Sequence, residues 1–126
     1  MLKSIEYPYA HLHAQLDQGV LILSIDRAEA KNALNMDLYI NLRQAICEAD
    51  QASEVRVLIL RGVDQDFSAG NDIQSFFQLP ELPQAGQAGS TPPFMLLKAM
   101  AEFSKPCIAA VRGACIGVAN TLLLHF

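Results

Sequence analysis

Cys107-Ile-Ala-Ala-Val-Arg-Gly-Ala-Cys-Ile-Gly-Val-Ala-Asn-Thr-Leu-Leu-Leu-His-Phe126 is the stretch on which the fold turns, because 14 of its 20 residues are apolar and its length is that of a membrane span. Arg112 lies inside it and would cost about 2.5–3.5 kcal/mol at helix depth, with Asn120 and His125 adding to that. Gly113 and Gly117 also interrupt the run. A short buried strand over residues 107–111, a turn at Arg112-Gly113 and a buried helix opening at about Gly117 satisfy the same residues without that cost. A globular α/β chain follows, with no membrane partner.

The same order of signals occurs once upstream. Val55-Arg-Val-Leu-Ile-Leu60 is an apolar strand closed by Arg61-Gly62; Asp64-Gln-Asp66 then turns into Phe67-Ser-Ala-Gly-Asn-Asp72 and a short amphipathic segment through Phe77. Nearer the N-terminus, Val20-Leu-Ile-Leu-Ser-Ile25 reads as a strand buried on most sides. A partly alternating strand over residues 11–17 precedes it, joined by a tight hairpin turn at Gln18-Gly19. Asn35 is a helix N-cap with Asp37 in the first turn, and Leu38, Leu42, Ala45 and Ala49 recur at helical spacing, widened by Tyr39 and Ile46. That stripe predicts a helix over about 36–52 packed on a sheet. Strand, helix and strand in that order imply a right-handed crossover and parallel pairing. Six Pro and Gly residues in the stretch 79–93 predict a mobile surface loop of the kind that forms lids, followed by a helix over about 94–103.

Composition limits what such a chain can do. Its 126 residues suit one domain or part of one, and 52% hydrophobic content supports a core without disulfides. With 9 Lys+Arg against 13 Asp+Glu, the net charge of −4 and the lack of any basic cluster remove the electrostatic attraction that nucleic acids require. Cys47, Cys107 and Cys115 are odd in number, lack CxxC spacing and sit among apolar neighbours, as reduced buried thiols do. A cytoplasmic, reducing compartment is expected. The first 13 residues include Lys3, Glu6, Pro8 and two histidines and build no apolar signal-peptide core.

Each of the two turns, Ser68 to Asp72 and Arg112 to Gly117, ends an apolar strand, bends at glycine and opens a helix whose first N–H groups have no internal partner. Side by side in a parallel sheet, they can direct one backbone N–H each at a single oxygen and stabilise an enolate or tetrahedral oxyanion. The plainer reading is that Gly70 and Gly117 only permit tight turns while Asn71 and Asp72 cap a helix. Spacing alone leaves both open.

Four blocks in order carry a resemblance: Arg27-Ala-Glu-Ala-Lys-Asn-Ala-Leu-Asn35, Val57-Leu-Ile-Leu-Arg-Gly62, Phe67-Ser-Ala-Gly-Asn-Asp-Ile73 and Lys105-Pro-Cys-Ile-Ala-Ala-Val-Arg-Gly-Ala-Cys-Ile-Gly-Val-Ala-Asn-Thr-Leu-Leu-Leu-His125. Together they resemble the enoyl-CoA hydratase/isomerase, or crotonase, superfamily over nearly the whole chain. The resemblance implies an α/β, crotonase-like ββα spiral core, with residues 1–126 as the N-terminal part of one domain. It implies catalytic backbone donors at Asn71 and Val118. It places Lys31, Asn32 and Ala33 near the adenosine end of coenzyme A, with Ala69, Gly70 and Asp72 along the same groove. The implied substrate is an acyl-CoA thioester, with coenzyme A part of that substrate and no permanently bound cofactor. A homo-oligomer of the trimer type is implied for full-length members.

Two departures refine the implied chemistry. Typical hydratases carry a glutamate at the position of Thr121, and a threonine hydroxyl has no pKa suited to general base work. Double-bond isomerisation is thereby favoured over hydration, with a truncated, non-catalytic crotonase-like remnant that binds CoA thioesters weakly or associates with longer subunits as the alternative. Gln74 stands where many hydratases place a lysine that meets a CoA phosphate. The proton-shuttling glutamate of such isomerases comes beyond the second turn, so the base is expected past residue 126. Asp64 and Asp66 read as turn formers. His11 and His13 share a strand face but lack a third ligand, so no metal is expected. His125 reads as a satisfied core residue, and Ser68 is not in a serine-hydrolase elbow.

Overall fold

The computed structural model describes residues 3–5, 8–77 and 88–126. Five strands form one sheet in chain order: β1 (Lys3–Ile5), β2 (Leu12–Asp17), β3 (Val20–Ile25), β4 (Val57–Gly62) and β5 (Cys107–Ala110). The first three pair antiparallel, and β3, β4 and β5 pair parallel. Gln18 (φ 47°) and Gly19 (φ 86°) are both left-handed, as a two-residue hairpin turn requires, and they set Asp17 opposite Val20. The Gly19 carbonyl accepts the amides of Arg56 (2.7 Å) and Val57 (3.1 Å), so this turn also fixes where β4 begins.

The long helix α1 (Met36–Gln51) is capped as expected: the Asn35 side-chain oxygen accepts the Leu38 N–H at 2.9 Å. Its inward stripe, Leu38, Tyr39, Leu42, Ala45, Ile46 and Ala49, is buried in one core with Leu23 and Ile25 of β3, Leu58 and Leu60 of β4, and Leu96 and Met100 of α3 (Pro92–Glu102). Two short helices complete the described chain, α2 (Ile73–Phe77) and α4 (Val118–Leu122).

Several sequence expectations shift. The strand expected at 55–60 runs two residues later: Val55 is buried but lies outside the ladder, whereas Arg61 is inside it opposite Ser24, to whose Oγ its side chain donates at 2.9 Å. The helix expected at 94 starts at Pro92, since proline in a first helical turn sacrifices no hydrogen bond. Of the loop expected at 79–93, residues 79–87 lie outside the described residues, Ala88–Ser90 forms a 3-10 turn, and 92–93 belong to α3. The strand expected to be buried at 107–111 ends at Ala110 and is the sheet's edge, with Ile108 51% exposed. The apolar run that ends the sequence splits into strand, turn and short helix. Among the described residues no helix is long and apolar enough to cross a membrane.

Candidate functional site

Beyond β4 and β5 the chain makes the two turns in register. Ser68 bridges Cys115 in parallel fashion: the Ser68 N–H donates to the Ala114 carbonyl at 3.0 Å, and the Ile116 N–H donates to the Ser68 carbonyl at 3.2 Å. Asp66 adds a side-chain clasp, its Oδ1 accepting the Ala114 N–H at 2.8 Å. At Gly70 (φ +87°) the approach is so close that a Cβ there would lie 2.4 Å from the Ile116 carbonyl oxygen. Only glycine fits both the dihedral and the space.

The expected donors follow this contact closely, Asn71 one residue after Gly70 and Val118 two residues after Ile116. On one edge Leu34 bridges Asn71: the Leu34 N–H donates to the Gly70 carbonyl at 2.7 Å, and the Asp72 N–H donates to the Leu34 carbonyl at 2.9 Å. In that parallel pattern the amide of Asn71 points away from Leu34, and it meets no acceptor among the described residues. In the second turn the N–H groups of Ala119, Asn120 and Thr121 bond back to Ile116 and Gly117. Val118, first in α4, is left without an acceptor among the described residues. Each turn therefore ends with an unpaired backbone donor.

The residues expected along a coenzyme A groove separate into two kinds. Lys31 is exposed, and Ala69 is half-buried beside it, its N–H donating to the Lys31 carbonyl at 3.0 Å. Asn32 and Ala33 are buried. The Asn32 side chain is fully engaged: Nδ2 donates to the Val63 carbonyl (3.0 Å) and the Asp66 carbonyl (2.8 Å), and Oδ1 accepts the Arg27 N–H (2.8 Å). Its side chain therefore has nothing left to offer a ligand, and it holds the 27–34 loop against the first turn instead. Buried Ser68 extends the same network, its hydroxyl donating to the Asn32 carbonyl at 2.7 Å and accepting the Gly70 N–H at 3.1 Å.

Asp72 is paired rather than open. Its Oδ2 lies 2.6 Å from Arg27 Nη1, and its Oδ1 accepts the Gln74 N–H at 3.0 Å, capping α2 as the plainer sequence reading has it. The hydrogen bond from Arg27 holds the Asp72 carboxyl below the usual carboxylate range, with the amides of Gln74 and Ser75 acting in the same direction against partial burial. A group whose folded pKa is depressed gives stability above its unfolded pKa and withdraws it as pH falls through the folded value. Thermal melts between pH 6 and pH 3 should show this loss, and Asp72→Asn should flatten the curve in part. Part of the slope should persist, because Asp50 is depressed too, by the hydroxyl and amide of Ser104.

The Thr121 hydroxyl donates to the Gly117 carbonyl at 3.3 Å. His13 Nε2 meets Asp26 Oδ2 at 2.5 Å on the exposed face, while His11 sits in the turn before β2 rather than on the strand with it. No group of metal-ligating side chains occurs among the described residues. The three cysteines are free and half-buried rather than buried, and burial pushes the Cys107 thiol up to about 11. A cavity of about 600 Å³ opens beside Lys31, Asn32, Asp64, Asp66 and Arg112, on the loop side of the two turns.

Two residues the sequence did not single out matter here. Arg27 partners Asp72, and Tyr39, which sequence spacing assigned to the helix stripe, donates its hydroxyl to Asn71 Oδ1. A tyrosine in an otherwise apolar stripe is itself a signal, since a buried phenol requires a partner.

Comparison with known proteins bears on this geometry. Residues 15–125 match the family model for enoyl-CoA hydratase/isomerase. A crystal structure of a candidate enoyl-CoA hydratase/isomerase from Acinetobacter baumannii is 50% identical and superposes with a TM-score of 0.89, over 94% of this chain and 48% of that one. A peroxisomal Delta(3,5)-Delta(2,4)-dienoyl-CoA isomerase from Arabidopsis thaliana is 32% identical over 80% of this chain and 40% of its own length. Crotonyl-CoA hydratase from Syntrophomonas wolfei is 33% identical over 86% of this chain and 42% of its own. The chain thus spans less than half the length of each of these three proteins, and its relatives include both isomerases and hydratases.

Proposed function

The chain belongs to the enoyl-CoA hydratase/isomerase family and carries about half of its α/β crotonase fold, and we propose that its two glycine turns bind the carbonyl oxygen of an acyl-CoA thioester. The Asn71 and Val118 N–H groups are the donors. What carries this reading is the contact of Gly70 with Ile116: it brings the turns together one residue before the Asn71 amide and two before that of Val118, neither of which meets an acceptor among the described residues. Backbone donors fixed in advance at the position of developing charge need no reorganisation during reaction. They would acidify the α-carbon of the thioester, so that a base can remove the α-proton as electron density moves to the carbonyl oxygen. Return of a proton to the γ-carbon of a β,γ-unsaturated substrate then completes an isomerisation.

Isomerisation is preferred to hydration because Thr121 occupies the position where hydratases carry a glutamate, and its hydroxyl is turned back onto Gly117. Lys31 and Ala69 would line the path of the coenzyme A moiety. Asn32, Ala33, Gly70 and Asp72 would act there by holding the backbone in place. The free thiols fit work in a reducing compartment such as the cytoplasm.

A second reading is a chain that binds thioesters without turnover and associates with longer subunits or with copies of itself. The exposed apolar side chains near β5 and α4, Ile108, Ile116 and Leu124, favour it. Titration calorimetry with butyryl-CoA and its thioether counterpart S-butyl-CoA tests the common element, and tighter binding of the thioester is the expected result. Equal binding would remove the oxyanion reading. Parallel assays with 3-enoyl-CoA and 2-enoyl-CoA separate the rest: water addition faster than double-bond migration would reverse the preference for isomerisation, and binding without either reaction would favour the second reading.

A further inference from the structure

We infer that Asn71 serves the site with its side chain as well as its main chain, and that Tyr39 is the positioning residue that turns this side chain donor-first toward the ligand. The inference rests on the oxyanion reading above and deepens it.

Tyr39 lies on α1 with its ring wholly enclosed in the core, 0% exposed. A buried phenol that makes no hydrogen bond is costly, and no buried side-chain polar atom lacks a partner among the described residues. The acceptor for Tyr39 is Asn71 Oδ1, 32 positions along the chain. Burial also raises the phenol's pKa, which keeps the group protonated and therefore a donor at neutral pH.

A carboxamide offers an acceptor at one end and two donors at the other. Once Oδ1 is held by a hydroxyl fixed in the core, the Nδ2 end is the one left over. Asn71 is exposed, and Nδ2 meets no acceptor among the described residues. The same residue's backbone N–H meets no acceptor among the described residues, because Leu34 brackets it on the other edge. One residue thus carries a main-chain and a side-chain N–H group that both meet no acceptor among the described residues. The ligand chemistry they suit is an oxygen carrying negative charge or partial negative charge, such as the thioester carbonyl of an acyl-CoA and the enolate derived from it. Aspartate at this position would offer an acceptor instead, and alanine would offer nothing.

A double-mutant cycle on the full chain tests this, reading the ratio of butyryl-CoA to S-butyl-CoA affinity. Asn71→Ala and Tyr39→Phe should each lower the thioester preference, by about three- to tenfold, as loss of one hydrogen bond does. The combined variant should be no worse than Asn71→Ala alone, since Tyr39 acts through that side chain. Asn71→Asp should fall below Asn71→Ala, because an acceptor oxygen then faces the carbonyl. General damage to packing would instead lower the binding of both ligands together. An unsubstituted chain that prefers the thioester while Asn71→Ala retains the full preference would overturn the side-chain role and leave the backbone donors standing. A Tyr39→Phe loss that persists undiminished on top of Asn71→Ala would overturn the positioning role. No preference in the unsubstituted chain would overturn the oxyanion reading and this inference with it.

Discussion

Replacing Gly70 with alanine is expected to lower the melting temperature by about 10 °C or more and to erase the preference for thioester over thioether in whatever folded protein remains. Two costs combine. At φ +87° an L side chain is strained, by about 1–3 kcal/mol for a sparsely populated backbone region. The new methyl would also lie 2.4 Å from the Ile116 carbonyl oxygen, a backbone atom that can recede only if its whole turn moves; overpacking of this kind costs about 1–3 kcal/mol more. If the turn does recede, the Val118 amide moves away from the Asn71 amide, so function is lost with stability. Gly19→Ala is the matched control. Its φ of +86° is nearly the same, but the clash is with the Arg56 side chain, whose end can swing aside. The difference between the two variants isolates the contact between turns. If Gly70→Ala melts no lower than Gly19→Ala and binds thioesters normally, the two turns are not held together in the way their packing indicates.

The contrast between those glycines also marks what a one-dimensional reading can reach. Gln18-Gly19 is local, a two-residue hinge between alternating runs, and it was legible, as were the Asn35 cap and the α1 stripe. The amides of Asn71 and Val118 could be singled out as candidate donors because a strand, a glycine and a helix start are sequence-local events. Their surroundings could not. Arg27 with Asp72, Asn32 with Val63 and Asp66, and Tyr39 with Asn71 all join segments 31 to 45 residues apart, and polar partners leave no periodic trace. Edges misled for a different reason. Apolar character reports that a residue tends to be covered without saying by what, so Val55 resembles a strand residue although it lies in the core ahead of β4. In the same way the run 107–111 has the apolar character of a buried strand although residues 107–110 form an edge strand and Val111 lies beyond it. Pro92 and Pro93 resembled loop residues because the sequence does not reveal on which side of a helix start a proline falls.

Asn32 is where such a long-range polar contact has its largest expected effect on stability. Asn32→Ala should destabilise the chain by about 3–5 kcal/mol, because the carbonyls of Val63 and Asp66 and the Arg27 N–H lose their partner at a position with no solvent to replace it. Chemical denaturation with an unchanged m-value would measure this. Asn32→Asp gives a sharper test, since shape is conserved and only the donor end changes. An ionised carboxylate there would face two carbonyl oxygens, and the Arg27 guanidinium of the same loop is already paired to Asp72. The new carboxyl should therefore bind a proton more tightly folded than unfolded, and its contribution to stability should be present at low pH and lost as pH rises through its raised folded pKa. That slope is opposite in sign to the one Asp72 imposes. The unsubstituted chain should weaken on acidification, while Asn32→Asp should recover part of its lost stability between pH 7 and pH 4. Parallel pH curves for the two proteins would mean that the Asn32 amide is not the donor to both carbonyls, and the first turn would then need another anchor to hold Gly70 against Ile116.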